Sequence, residues 1–518
     1  MILIGRRTLV AGLATASIAA PARTRPRSSP IANTRYGKVR GTVEGDVLVF
    51  RGVRYGADTA TTRFRRAVSP RPWSGIADAS RYAAAAPQTR ASEPTSEDCL
   101  FLNIWTPALD AGKRPVMVYL HGGAHAHGSG SDPLYDGGNL VRRGDVVVVT
   151  LNHRLAAMGY AYLAQLGGPT ESGNVGNLDI ILALQWVRDN IAQFGGNADR
   201  VMIFGQSGGG AKVVTLMAMP EARPLFHAAA TMSGQHVTAA GPIHASTRAG
   251  AWMKQAGAPD LATLNQLPIE KLVEAMAMTD PLEGKGEISF TSTLDHGVLP
   301  RHPFVPDAPR EAAHIPLIVG NTHDETALWI EKILRAGDTT WDNLPQRLAK
   351  EMVKDLAPDY VVRRYRELYP DRSPSQILLA ASTAGRSWPG HLIQAEERAR
   401  IGAPTWMYQL DFPCPEAGGI LGAFHTLDIP LVFDNVDAEG SRTGTSPEAR
   451  RLAGQMADAF IALARTGDPN NRAIPGWPQY DLAQRPTMLF DRTVRVDNDP
   501  RREERLLFAV APYIKPGG

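Results

Sequence analysis

From residue 100 to residue 235 the apolar positions alternate between two rhythms. The unbroken β-branched runs at 116–120 and 146–151 have the length and composition of strands buried on both faces, as in the middle of a parallel sheet. The segment 178–193 changes to a helical period. Its Ile180, Leu184, Val187 and Ile191 fall on one face, and Gly195-Gly196 stop it. A third strand-like run, 201–204, leads through Gly205 to Gly210 into a second helical segment over 211–219, ended by Pro220. Shorter strand runs at 229–232, 317–319 and 406–410 continue the alternation, which predicts an α/β fold with a large, mainly parallel central sheet flanked by helices. Upstream, alternation and turn glycines at 34–41, 47–50 and 52–55 predict an opening antiparallel meander. Residues 245–395 are different: helical stretches at 269–278 and 341–355 lie among proline-rich loops, a helical and irregular region expected over one end of the sheet. A late helix over 448–465, with Leu452, Met456, Phe460 and Leu463 on one face, is expected to pack back on the sheet. No internal repeat or linker interrupts this pattern, so residues 34–518 read as one continuous domain.

Composition supports a large core: 43% of the 518 residues are apolar and 21% charged, which excludes a disordered or fibrous chain. Residues 1–22 have the form of an export signal. Arg6-Arg7 precede a mild apolar run over 9–20, and Ala20-Pro21-Ala22 supply a small-residue cleavage site. The arginine pair points to the twin-arginine route, hence to an exported protein, periplasmic or secreted. Residues 23–33, rich in Pro, Arg and Ser, read as a flexible leader. Removing the signal takes two of the three net positive charges and leaves about +1 (3 − 2), no basis for a nucleic-acid partner. No later apolar run is long enough to span a bilayer, so no stable membrane insertion is expected. The two cysteines, Cys99 and Cys414, lack metal-ligand spacing and read as idle thiols.

Gly205-Gln206-Ser207-Gly208-Gly209 lies where strand passes into helix and fits a nucleophile elbow, a turn that exposes a serine. A serine hydroxyl needs a base, an orienting acid and donors for the developing oxyanion. His121-Gly122-Gly123-Ala124 follows directly on a central strand, and the N–H groups of Gly123, Ala124 and Gly208 can converge on one oxygen. The order nucleophile, acid, base selects His425, in a late loop after a strand, from the 13 histidines. Glu325 follows the 317–319 strand, with Asp324 as a rival acid that the residues alone do not eliminate. His121, His125 and His127 invite a metal reading, but a glycine loop without an added carboxylate or cysteine favours pocket-lining or exposed histidines. No metal and no cofactor are expected. Arg363-Arg364 and Arg501-Arg502 read as solvated faces.

These residues resemble the type-B carboxylesterases, a family that includes the bacterial para-nitrobenzyl esterases and the cholinesterases. The likeness covers nearly all of the chain after the leader. It includes Phe50-Arg51-Gly52-Val53-Arg54-Tyr55 and, most specifically, Ser96-Glu97-Asp98-Cys99-Leu100-Phe101-Leu102-Asn103-Ile104-Trp105-Thr106-Pro107. The His121-Gly122-Gly123 loop, Asn152-His153-Arg154, Gly195-Gly196-Asn197, Met232-Ser233-Gly234 and Trp477-Pro478 also match. The resemblance implies an α/β-hydrolase fold and a Ser207–Glu325–His425 triad, taking the second member of the Asp-Glu pair. Gly123, Ala124 and Gly208 fall on the family's oxyanion positions. Four departures stand out. Gln206 replaces the usual Glu before the nucleophile, which weakens any case for cationic substrates. Gly208 replaces the usual Ala and is expected to loosen the turn. His125 replaces a common Phe and makes the pocket more polar. Cys99 lacks its usual upstream partner, so the loop at 83–88 is expected to be held by packing rather than by a disulfide.

The reading is an exported serine carboxylesterase acting on a small-molecule ester through an acyl-enzyme. The alternatives are a lipase, an amidase or a specialised xenobiotic esterase on the same triad, or a non-catalytic cholinesterase-like binding protein. Neither the ester nor the oligomeric state follows from the sequence.

Overall fold

The computed structural model describes residues 29–513, so the expected export signal and most of the leader lie outside the described residues. Among the described residues, fourteen strands form two sheets. The small one joins β1 (Ile31–Asn33), β2 (Lys38–Arg40) and β5 (Ile76–Asp78), with β2 in the centre. The large one contains β3 (Thr42–Glu44), β4 (Val47–Arg54), β6 (Phe101–Thr106), β7 (Arg114–Leu120), β8 (Val147–Leu151), β9 (Gly196–Gln206), β10 (Ala228–Met232), β11 (Leu317–Thr322), β12 (Thr405–Leu410), β13 (Pro486–Phe490) and β14 (Arg495–Asn498). Its order is β14-β13-β12-β11-β10-β9-β7-β8-β6-β4-β3. The seven strands from β13 to β8 run parallel, and the antiparallel pairings lie at the two edges.

Side-chain alternation explains why the central strands read as unbroken apolar runs. Along β7, Val116, Val118 and Leu120 enter one core and Met117 and Tyr119 the other; along β9, Val201 and Ile203 face the first and Met202 and Phe204 the second. Both faces are covered by helices, so neither register can be polar. Helix Val175–Asn190 lies in the first core, and helix Pro447–Thr466 brings Leu452, Met456, Phe460 and Leu463 into the second.

Some expectations need correction. Ile31–Asn33, assigned to the leader, pairs with β2 as a strand because Ala32 is buried against the core while its neighbours stay exposed. The opening meander is split between the two sheets. Residues 47–50 and 52–55 belong mostly to one strand, β4, which shifts register between Phe50 and Val53, where Gly52 has φ 72°. Much of the proline-rich stretch is helical: Pro242–Gln255, Pro358–Leu368 and Pro374–Arg386 each begin on proline, at the position where its missing N–H costs nothing. Arg501 is not on a solvated face. It is buried, ion-paired with Glu504 and stacked over Trp388.

Cys99 and Cys414 are buried free thiols. The 83–88 loop is held, as expected, without a disulfide: Ala85 and Ala86 are buried, Ala86 in the same core as Cys99, and hydrogen bonds add to the packing. Asn152 Nδ2 donates to Ala84 O at 3.1 Å, and Gln88 exchanges two bonds with the Gly128 backbone, at 2.8 and 3.1 Å.

Candidate active site

The carboxyl ends of β7, β9, β11 and β12 open on one edge of the sheet, the edge where open α/β sheets gather functional loops. Ser207 stands between β9 and helix Gly208–Met217 with φ 57° and ψ −122°, a conformation rare for a residue with a side chain. Its N–H donates to Met232 O at 2.7 Å, which ties the turn to β10. The turn is also closely packed. A Cβ on Gly209 would come within 1.9 Å of Leu120 O, and one on Gly208 within 1.8 Å of Ala124 O. Gly208 therefore does not loosen the elbow, contrary to expectation; the backbone of the 121–124 loop occupies the space of the missing methyl.

Glu325 and His425 come from loops after β11 and β12. A bridge between Asp324 and Phe424 zips these loops together, so the next residues of each stand side by side. Glu325 Oε2 accepts the hydrogen bond of His425 Nδ1–H. Its other oxygen accepts from Ser233 Oγ at 2.6 Å and from the Thr322 N–H at 3.0 Å. Burial pushes the Glu325 carboxyl up, but His425, with further help from His391 and the Ser233 hydroxyl, holds it below the ordinary carboxylate value. Asp324 turns elsewhere. It pairs with His323 Nδ1 at 2.8 Å and accepts the Ala423 N–H at 2.9 Å, so it fastens the two loops. The opposite ring nitrogen of His425, Nε2, lies 3.3 Å from Nε2 of Gln206, the residue before Ser207. The indole of Trp329, half exposed, lies over the same ring at 4.9 Å between centroids.

The 121–124 loop leaves β7 with Gly123 at φ 82° and Ala124 at φ 54°. The hydrogen bonds that close it run from the Ala126 and His127 N–H groups to Gly123 O, at 3.1 and 3.0 Å. The N–H groups of Gly123 and Ala124 take no part in them. Gly208, as the first residue of its helix, likewise has an N–H with no intrahelical partner. The three histidines of the loop diverge. His121 is buried and stacked on His153 at 4.9 Å, and burial, then Lys212, pushes it down to about 3. His125 packs on Tyr160 and sits 3.3 Å from Ser292 Oγ. Among the described residues no three His, Cys, Asp or Glu side chains gather to hold a metal ion.

Two groups here went unnoticed in the sequence. Asp428, three residues past His425, is buried and accepts from Tyr408 OH at 2.8 Å; burial pushes its carboxyl up to about 7, against the pull of that bond. Lys212, five residues past Ser207, is a fully buried lysine whose Nζ donates to Ala124 O at 3.1 Å and to His121 O at 3.3 Å. A lysine amid apolar helix residues was the one visible signal.

The family model for the carboxylesterase family matches residues 28–508. The para-nitrobenzyl esterase of Bacillus subtilis is 34% identical, over 92% of this chain and 97% of its own. The phenmedipham hydrolase of Pseudarthrobacter oxydans is 32% identical, over 92% of this chain and 98% of its own. Among solved structures, the Geobacillus stearothermophilus carboxylesterase EST55 superposes with a TM-score of 0.82 at 34% identity, covering 92% of this chain and 99% of that one. The fold is thus that of solved carboxylesterases, the α/β-hydrolase fold.

Proposed function

We propose, from the premise that the chain belongs to the carboxylesterase family of ester hydrolases, that it cleaves small carboxylic esters by a serine mechanism. His425 Nε2 takes the Ser207 hydroxyl proton as Oγ attacks the ester carbonyl carbon. Glu325 keeps His425 in the Nδ1–H tautomer and stabilises the imidazolium that forms. The N–H groups of Gly123, Ala124 and Gly208 receive the oxyanion. The imidazolium then returns its proton to the departing alcohol, leaving an acyl-enzyme. Water activated by the same histidine attacks the acyl carbon and releases the acid.

The observation that carries this reading is the buried Glu325–His425 hydrogen bond, with the opposite ring nitrogen of the imidazole 3.3 Å from the side chain of Gln206, the residue before Ser207. Lipase, amidase and xenobiotic-esterase activities on this constellation are separated by interfacial activation, anilide turnover and a panel of acyl and alcohol groups. A non-catalytic binding protein is separated by covalent chemistry. Ser207→Ala is expected to abolish p-nitrophenyl ester hydrolysis and labelling by a fluorophosphonate, while the unaltered protein is labelled once per chain. Turnover retained in the alanine variant overturns the proposal.

Export is part of the same reading. Residues 1–22 would send the folded enzyme through the twin-arginine route, and Arg6→Lys with Arg7→Lys should retain it in the cytoplasm. Undiminished export of that double variant overturns this part.

A further inference from the structure

Lys212 is costly to place where it is. Desolvating a lone ammonium is unfavourable, and among the described residues no carboxylate is paired with its Nζ. Its Nζ donates to two backbone carbonyl oxygens, whose positions are informative. His121 O belongs to the peptide unit just before the one that carries the Gly123 N–H. Ala124 O belongs to the unit just after the one that carries the Ala124 N–H. The two held carbonyls therefore bracket the two peptide units that supply the loop's donors. Those units contain two glycines' worth of backbone freedom and a non-glycine residue in the left-handed region, so they need holding from outside. Lys212 also lies four residues after Gly208, on the same face of helix Gly208–Met217. One side chain thus connects the helix that carries the third donor to the loop that carries the first two.

We infer that Lys212 is a positioning residue for the oxyanion hole, clamping the 121–124 loop to the nucleophile helix and setting a positive charge behind the developing oxyanion. This rests on the serine-esterase reading above. Its titratable neighbours are His121 and His127 on the loop and His153 after β8. Each is pushed toward its neutral form by burial first and by Lys212 in addition. Burial lowers the ammonium itself to about 7, so negative charge forming beyond the loop favours its protonated form.

The test is Lys212→Met in the full chain, which keeps the length of the side chain and removes donor and charge. Losing one direct oxyanion donor costs roughly 10²–10³ in rate, so losing the clamp that aims two of them should lower kcat roughly 10- to 100-fold. KM for a p-nitrophenyl ester should change little, because the ground-state carbonyl relies less on these donors. Affinity for a trifluoromethyl ketone should fall in parallel with kcat. That probe forms a bond from Ser207 Oγ to its carbonyl carbon, passes the hydroxyl proton to His425 and leaves the negative charge on its oxygen. Thermal stability should change little, since removing a buried cation that lacks a carboxylate partner offsets leaving two carbonyls without their donor. Fluorophosphonate labelling of Ser207 should persist, if slowed; its complete loss in a folded variant, together with its absence from the unaltered protein, would count against the esterase reading itself. Wild-type kcat and ketone affinity in Lys212→Met overturn the inference, as does a kcat loss matched by an equal rise in KM. Should Lys212→Met not fold, Lys212→Gln, which keeps a donor without the charge, is measured in the same way. The inference requires an intermediate kcat with unchanged KM, and a fully active Gln variant overturns it.

Discussion

The carboxamide of Gln206 touches the imidazole of His425, Nε2 to Nε2 at 3.3 Å. Because His425 gives its Nδ1–H to Glu325, its Nε2 holds a lone pair, and the amide N–H of Gln206 donates to it. Gln206 is buried, so the contact is made away from bulk water. Replacing the amide with a carboxylate reverses the sign of this interaction: Gln206→Glu favours the imidazolium, the form that cannot accept the Ser207 proton. The acid limb of kcat/KM should therefore move to higher pH. A pH–rate profile of the variant checks this, and an unmoved acid limb contradicts the contact.

Adjacent carboxylates give a second test. Glu325→Gln removes the charge that stabilises the imidazolium and leaves the wrong tautomer available, so kcat should fall by roughly 10³–10⁴. Asp324→Asn should cost far less in kcat, because Asp324 faces His323 and the Ala423 N–H rather than His425. Its loss should appear instead in the melting temperature, since it fastens the two loops. Steady-state kinetics and thermal melts on both variants distinguish the two roles, and equal kcat losses contradict them.

Gly208→Ala would look conservative in a family where alanine is usual at this place. In this chain the new Cβ would lie 1.8 Å from Ala124 O, so the elbow or the 121–124 loop must move. Displacing the loop misaims the Gly123 and Ala124 donors, and kcat should drop by roughly 10²–10³. Unaltered kinetics in Gly208→Ala would show that the loop yields without loss.

The buried Arg501–Glu504 pair gives a stability prediction. Burial pushes Glu504 up, but Arg501 and the Tyr369 hydroxyl, which donates at 2.7 Å, hold its carboxyl below the ordinary value. A carboxyl lowered in the folded state stabilises the protein above its unfolded value, about 4.3 for Glu, and loses that contribution as pH falls through the folded value. Glu504→Gln leaves Arg501 buried and unpaired, a loss of roughly 3–5 kcal/mol at neutral pH. Denaturant unfolding across pH should show this gap closing toward pH 3 and below. A gap that is constant with pH contradicts the assignment.

What the sequence determined by itself is the part governed by local sterics. The 116–120 and 201–204 runs read as strands buried on both faces, and Gly205 to Gly209 around Ser207 as a turn of close backbone approach. Helix 448–465 carried its apolar face in its own period. Tertiary structure decided what depends on partners distant in the chain. Asp324 and Glu325 are neighbours with the same chemistry; the bridge to Phe424 holds Asp324 against His323 and the Ala423 N–H, while the helical turn that begins at Glu325 brings the second carboxylate to His425. Prolines that suggested loops in 245–395 became first residues of helices, a distinction invisible until the following turns pack. Lys212 stands in the sequence as a single lysine among apolar helix residues, with no partner legible nearby. Only the approach of the 121–124 backbone, reaching across from the end of β7, removed it from water and gave its charge two carbonyls to hold.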